Sequence, residues 1–259
     1  MDLGIAGRTA LVCASTQGLG RACAEALARE GVRVFVNGRD QERLDAAVAD
    51  LRASLGVEVH GIVADVTTEQ GRDALLAACP QPDILVNNNA GPSPAAFQQL
   101  ERDAWLAALE ANMVAPLQLV RAVLPGMRER RFGRIVNVTS AMVTTPRPHM
   151  TLSSGARAGL TAAMKGLSLE VARDNVTINN LLPERFDTAR QEQMAKVAMA
   201  RDSISYEEAR RRQVESIAAR RLGQPREFGA MCAFLCSDLA GFVSGQNVHL
   251  DGGSYPALI

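Results

Sequence analysis

Tyrosine and lysine are nearly missing from this sequence. Among 259 residues, with 28 basic side chains, only Lys165 and Lys196 carry an amine, and Tyr206 and Tyr255 are the only phenols. Chemistry that needs a titrating amine or a phenol therefore has few candidates. Net charge is missing as well: 28 basic residues balance 28 acidic ones. This argues against a broad polyanion-binding surface, so nucleic acid is not an expected partner. The five cysteines (Cys13, Cys23, Cys79, Cys232, Cys236) are odd in number and lack CxxC or zinc-ribbon spacing. That pattern implies a reducing, cytoplasmic setting, with Cys232 and Cys236 packed in a core. Residues 1 to 20 hold an acid at Asp2 and no apolar run of signal-peptide length. No stretch approaches the roughly 20 apolar residues of a membrane span, so no membrane partner is expected.

What is present is a regular alternation. Short apolar, β-branched runs at 9–14, 33–37, 57–63, 83–87, 134–139, 176–182 and 247–250 predict strands. Amphipathic stretches at 18–30, 40–55, 68–78, 101–130, 153–173 and 225–236 predict helices between them. Such alternation implies an α/β fold: one single-domain, doubly wound parallel sheet of seven strands over 1–259, a Rossmann fold flanked by helices. Ligands then gather at the carboxyl ends of the strands. An arginine-rich insertion at 184–222 follows the sixth strand and is placed to act as a lid, although a solvated surface helix pair explains it too. Within it "SYEE" (Ser205 to Glu208) predicts a capping box that starts a helix.

The first strand leads into "CASTQGLGRA". Gly18 and Gly20 open the next helix, where a side-chain-free backbone lets a pyrophosphate reach N–H groups and the positive end of the helix dipole. The second strand ends in "VNGRD". A carboxylate there would hold a ribose 2′-hydroxyl; Gly38 and Arg39 instead leave space and offer a guanidinium to a 2′-phosphate, which favours NADP(H) over NAD(H).

These elements, with others in order from about Gly7 to Gly253, resemble the short-chain dehydrogenase/reductase (SDR) family. Asp65-Val66 is similar to its adenine-contacting pair. "DILVNNNAG" (83–91) is similar to its NNAG element, with either Asn87-Asn88 or Asn88-Asn89 on the two family asparagines. Asn112 resembles the asparagine that holds a relay water, Ser140 the substrate-orienting serine, and "PERFDT" (183–188) the PGxxxT segment with Thr188 retained. The resemblance implies that Ala14, Thr16, Gln17, Gly18, Leu19, Gly20, Arg39, Asp65, Val66, Asn88, Ala90, Arg157 and Thr188 contact the coenzyme.

The departures carry equal weight. Cys13 and Ala14 replace the family's first threonine and glycine; a methyl at Ala14 is tolerable where φ is negative, so weakened or shifted coenzyme binding is expected. Glu184 replaces a glycine beside the nicotinamide site, where it would repel anionic substrates or point outward. In "HMTLSSGARAGL" (149–160), Ser153 falls on the family's catalytic tyrosine and Arg157 on its lysine. Serine is a far weaker acid than a phenol, and a guanidinium stays charged and does not relay its own proton. The resemblance therefore implies an NADP(H)-dependent oxidoreductase acting on a carbonyl/alcohol pair, with the 3-oxoacyl type among the substrates it suggests, and with the set Ser140, Asn112, Ser153 and Arg157. Its proton would come through water or His149, one helical turn before Ser153. Two other readings stand beside it: a non-redox lyase or hydratase gripping an anionic substrate through Arg157, and a catalytically silent NADP(H)-binding homologue. The lid's arginines would attract an acyl carrier, or are simply solvated. The apolar faces of the helices at 101–130 and 153–173 predict a homotetramer, or failing that a dimer.

Overall fold

The computed structural model describes residues 1–258; Ile259, the last residue of the expected domain, lies outside the described residues. The seven strands are β1 (Thr9–Val12), β2 (Arg33–Gly38), β3 (Val59–Val63), β4 (Ile84–Asn87), β5 (Gly133–Val138), β6 (Val176–Pro183) and β7 (Asn247–Leu250). They form one sheet in the order β3-β2-β1-β4-β5-β6-β7, and every pairing is parallel. The order reverses between β1 and β4, which opens a crevice at the strands' carboxyl ends.

Helices α1 (Gly18–Arg29), α2 (Gln41–Leu55) and α3 (Glu69–Ala78) follow the first three strands. Then come α4 (Arg102–Leu109), α5 (Ala115–Glu129), α6 (Thr151–Val171), α7 (Ala189–Asp202), α8 (Tyr206–Glu215) and α9 (Pro225–Cys236). Parallel strands buried on both faces need two apolar layers. Leu27, Leu44, Leu51 and Phe228 of α1, α2 and α9 fill one. Leu75, Leu119, Met127 and Leu160 of α3, α5 and α6 fill the other. All five cysteines are buried free thiols, with Cys232 and Cys236 in the first of these layers.

Three local features differ from the expected pattern. First, β1 stops at Val12, because Ala14 lies at φ 44, outside strand geometry. Second, the helix expected over 101–130 contains a π-helical turn at Glu110–Val114, which joins α4 to α5. Third, the run Arg102–Glu129 spans 28 residues and is, by length and composition, apolar enough to cross a membrane, contrary to the expectation that no segment is. Leu119, Val120, Val123 and Met127 of this run pack beneath the sheet, and 33% of its most apolar window is buried.

Polar ties run across the sheet just below the crevice. The side-chain amides of Asn87, Asn137 and Asn180 donate in turn to the side-chain carbonyls of Asn137, Asn180 and Asn247, at 2.9, 3.0 and 2.9 Å. These asparagines stand in register on adjacent strands β4 to β7. In-register side chains share a face at about 4.8 Å spacing, which suits such a ladder.

Candidate active site

A cleft of about 1150 Å³ occupies the crevice, walled by the strand ends and by the loops that follow them. Its floor at one end is the turn after β1. Ala14 adopts the left-handed region at φ 44, so the condition for an unstrained alanine fails and the methyl sits in a backbone conformation that favours glycine. Two asparagines hold it there. Asn37 Oδ1 accepts from the Ala14 N–H at 3.0 Å, and Asn88 Nδ2 donates to the Ala14 carbonyl at 3.0 Å. Asn37 is buried, and its amide also donates to the carbonyls of Ile62 and Ala64, so it ties β1, β2 and β3 together at the mouth. Gly20 does not line the cleft but underlies it: a Cβ there would lie 2.4 Å from the Ala14 carbonyl oxygen and 2.7 Å from Asn88 Nδ2.

Helix α1 begins at Gly18 with no side-chain cap and no acid in its first turn. Its N–H groups and positive dipole end are therefore free for a phosphate. Thr16, Gln17, Gly18 and Leu19 line this end. Beside it Arg39, 71% exposed, pairs with Asp65 at 3.6 Å. Burial would raise the Asp65 carboxyl, but the hydroxyl and N–H of Thr67, with Arg39, hold it below the usual range. Val66 is a buried wall residue. The space expected at Gly38 is taken, since a Cβ there would lie 2.4 Å from Thr16 Cγ2; packing already demands this glycine.

The NNAG-like element divides at the strand end. Asn87 closes β4, with its amide in the asparagine ladder, whereas Asn88, Asn89 and Ala90 line the cleft.

The opposite end holds Ser140, Ser153 and Arg157 on the cleft wall. Ser140 follows β5, and its Oγ accepts from the Met142 N–H at 3.2 Å, which leaves the hydroxyl proton available to a ligand. Ser153 is buried in the first turn of α6, a helix that starts with no capping side chain and no acid in its first turn. Arg157, one turn further and 7% exposed, donates from Nη1 to the Val138 carbonyl at 2.7 Å and from Nη2 to the Asn89 carbonyl at 3.3 Å. It has no carboxylate partner among the described residues; burial, then the neighbouring Arg190, lower its pKa to about 10. It stays charged at neutral pH. Asn112 does not reach the cleft. It is buried in the π-helical turn, where Nδ2 donates to the Ala108 carbonyl at 3.4 Å and Oδ1 has no partner among the described residues.

Helices α7 and α8 do cover the cleft: Met194, Val197, Ala209 and Gln213 face it. Thr188 Cγ2 stands 3.9 Å from the point a Cβ on Gly18 would occupy, so the insertion comes down on the phosphate turn. The capping box is only half formed. Ser205 Oγ accepts from the Glu208 N–H at 3.1 Å, but the Glu208 carboxylate turns to Arg211 and Arg212. Arg210, Arg211, Arg212 and Arg221 sit in ion pairs, whereas Arg220 is exposed and donates only to the Glu215 carbonyl at 2.9 Å. Glu184 points into the wall and is neutralised by Arg147 at 2.7 Å and Arg185 at 3.6 Å. His149 lines the cleft, exposed, at φ 64. Neither Tyr206 nor Tyr255 does; Tyr255 stacks on His249 with ring centroids 4.2 Å apart. Sequence reasoning missed Asn37, Arg147 and Arg190. Their only signals were an asparagine before Gly38 and two arginines in polar stretches, Arg147 in a loop and Arg190 at the start of α7.

A family model described as enoyl-(acyl carrier protein) reductase matches residues 13–255. The chain belongs to the short-chain dehydrogenase/reductase family. Human dehydrogenase/reductase SDR family member 4 is 32% identical over 255 residues, covering 96% of this chain and 88% of that relative. The 3-oxoacyl-(acyl-carrier-protein) reductase FabG of Haemophilus influenzae is 30% identical over 253 residues, covering 96% and 98%. Among solved structures, the L-sorbose reductase of Gluconobacter frateurii, complexed with NADPH and L-sorbose, superposes with a TM-score of 0.94 at 29% identity over 100% of both chains. This SDR chain keeps the fold of those reductases, while Ser153 and Arg157 occupy the two positions on α6 singled out from its sequence.

Proposed function

We propose that this SDR chain is an NADPH-dependent reductase of a small carbonyl compound that works without a catalytic phenol. One observation carries the reading: Ser140, Ser153 and Arg157 share a wall of the cleft whose other end is the uncapped start of α1. The cradle fits a dinucleotide, because Gly20 and the free N–H groups of α1 leave room and donors for a pyrophosphate. Arg39 lies where a 2′-phosphate would be held, and the NADPH complex of the L-sorbose reductase supports the same choice.

When bound, the coenzyme supplies the hydride. The chain's own residues handle the charge that develops on the carbonyl oxygen. The Ser140 and Ser153 hydroxyls donate to that oxygen, the first turn of α6 adds its positive dipole end, and Arg157 adds a fixed cation in a water-poor wall. Removing one such donor from a preorganised site typically costs about 100-fold or more in kcat. The proton arrives from water or from His149 on the same wall. The likeness to FabG supports a 3-oxoacyl substrate, although Arg210, Arg211 and Arg212 of the lid are held in ion pairs.

Two apolar surfaces support assembly of four copies under dihedral symmetry. One is the groove of about 500 Å³ between α5 and α6, lined by Leu117, Leu124, Met164 and Leu167. The other adjoins the edge strand β7, where Leu239 and Phe242 are exposed. The test is substrate-dependent loss of NADPH absorbance across a panel of ketones and aldehydes, with light scattering for the mass. No consumption with any carbonyl compound, or turnover at unchanged nicotinamide absorbance, would sink the reductase reading.

A further inference from the structure

Two arginines at the lid end of the cleft have no acidic partner. Arg39, Arg147, Arg185, Arg201 and Arg212 on the same walls each form an ion pair. Among the described residues Arg157 and Arg190 form none, nor does Arg43 at the start of α2, and the charge that acts on Arg157 is the like charge of Arg190. The two guanidiniums grip one short loop from either side. Arg157 Nη2 donates to the Asn89 carbonyl at 3.3 Å, and Arg190 Nη2 donates to the Pro92 carbonyl at 3.1 Å. Between those carbonyls lies Gly91, where a Cβ would stand 3.5 Å from Arg157 Nη2. Arg190 Nη1 also donates to Gln193 Oε1, so its fork is held in place by α7. Neutral carbonyls and an amide orient these cations without cancelling them. Burying a guanidinium without a counter-charge is costly, and two that repel each other cost more.

We infer that Arg157 and Arg190 form an anion subsite, and that the substrate carries a carboxylate seated there. This rests on the placement of the reacting carbonyl beside Ser140, Ser153 and Arg157 given above. Planar forked donors suit a carboxylate. The start of α1 and Arg39 offer the coenzyme's phosphates donors of their own. Glu184, an acid of the same cleft, is tied up by Arg147 and Arg185 and does not compete.

The test is calorimetry on NADP⁺-loaded protein with oxalate, malonate and succinate against their diamides. At least one dicarboxylate is expected to bind about tenfold or more tightly than its diamide, as one charge-assisted contact provides. Arg190→Gln should remove that difference, Arg190→Lys should retain part of it, and the Kd of NADP⁺ should move less than about threefold in both. Equal binding of acids and diamides, or no binding of either, overturns the subsite. So does an Arg190→Gln variant that weakens NADP⁺ by the factor it weakens the acids, because the occupant would then be a coenzyme phosphate. Binding is read whether or not hydride moves. A chain that binds dicarboxylates but never consumes NADPH keeps the subsite and loses the reductase; one that reduces neutral ketones as fast as oxo acids does the reverse.

Discussion

Arg157 Nη1 donates to the carbonyl oxygen of Val138, the last residue of β5, at 2.7 Å. A strand that ends at an active-site mouth leaves its final carbonyl without a ladder partner, and here a buried guanidinium takes it. That single contact fixes the cation at the reacting end of the cleft and removes it from water. The apo fold bears the electrostatic cost, and a bound anion or a developing oxyanion relieves it.

Replacing Arg157 by methionine should therefore stabilise the apo protein while abolishing turnover. An apolar side chain of similar volume removes an unpaired buried charge, offset in part by the lost bonds to Val138 and Asn89. A net gain of about 1 kcal/mol, or about 2 °C in Tm, is expected. Thermal melts beside activity assays check it; a lower Tm would mean that the arginine's bonds outweigh its desolvation.

Ala14→Gly should also raise stability. A left-handed alanine costs about 1 kcal/mol or more, against roughly half that for the extra freedom of glycine in the unfolded chain. The expected gain is about 0.5 kcal/mol with tighter NADPH binding, whereas Ala14→Val should lose about 2 kcal/mol because a β-branched residue resists positive φ. Denaturant titrations with and without NADPH separate the two effects.

The asparagine ladder should behave as a unit. Asn137→Ala strands the Asn87 amide and the Asn180 carbonyl in the core. A loss of about 3 kcal/mol is expected, from two unsatisfied buried groups plus a small cavity. Asn247→Ala, at the partly exposed edge strand, should cost about 1 kcal/mol. Equal losses at both positions in urea titrations would contradict this account.

The pH dependence follows from the Arg157 value of about 10, lowered by burial from the ordinary guanidinium range. Because the folded value is the lower one, the unfolded chain holds the proton that the fold releases between them. Apo stability from this group is therefore least below about 10 and rises through that window. Anion binding runs the other way: it needs the charged guanidinium, so KM for a carboxylated substrate should stay flat from neutrality and climb only past about 10. A basic limb appearing below pH 9 in KM for an oxo acid, absent for a neutral ketone, would point to a different group.

Much of the architecture was legible because parallel strands buried on both faces must be continuous apolar runs, and "RIVNVT" or "VTINNLL" can hardly be anything else. The wall residues Ser153 and Arg157 were legible because "RAGL" fixes their register on one helix face. The π-helical turn at Glu110–Val114 was not, since one extra residue in a helical ladder scarcely disturbs an amphipathic pattern. Nor was the left-handed Ala14, whose φ is held by Asn37 of β2 and by Asn88 just past β4. Arg190 was lost among the lid's arginines. Whether a guanidinium is free or paired is decided by neighbours far along the chain, as Arg147 and Glu184, 37 residues apart, illustrate.

The most direct test of phenol-free reduction is NADPH consumption by the doubly substituted Tyr206→Phe, Tyr255→Phe protein, run beside wild type and Ser153→Ala on the same carbonyl substrate. The double variant should turn over within about twofold of wild type, while Ser153→Ala falls about 100-fold. A double variant that stops consuming NADPH while Ser153→Ala continues would show that a tyrosine protonates the product after all.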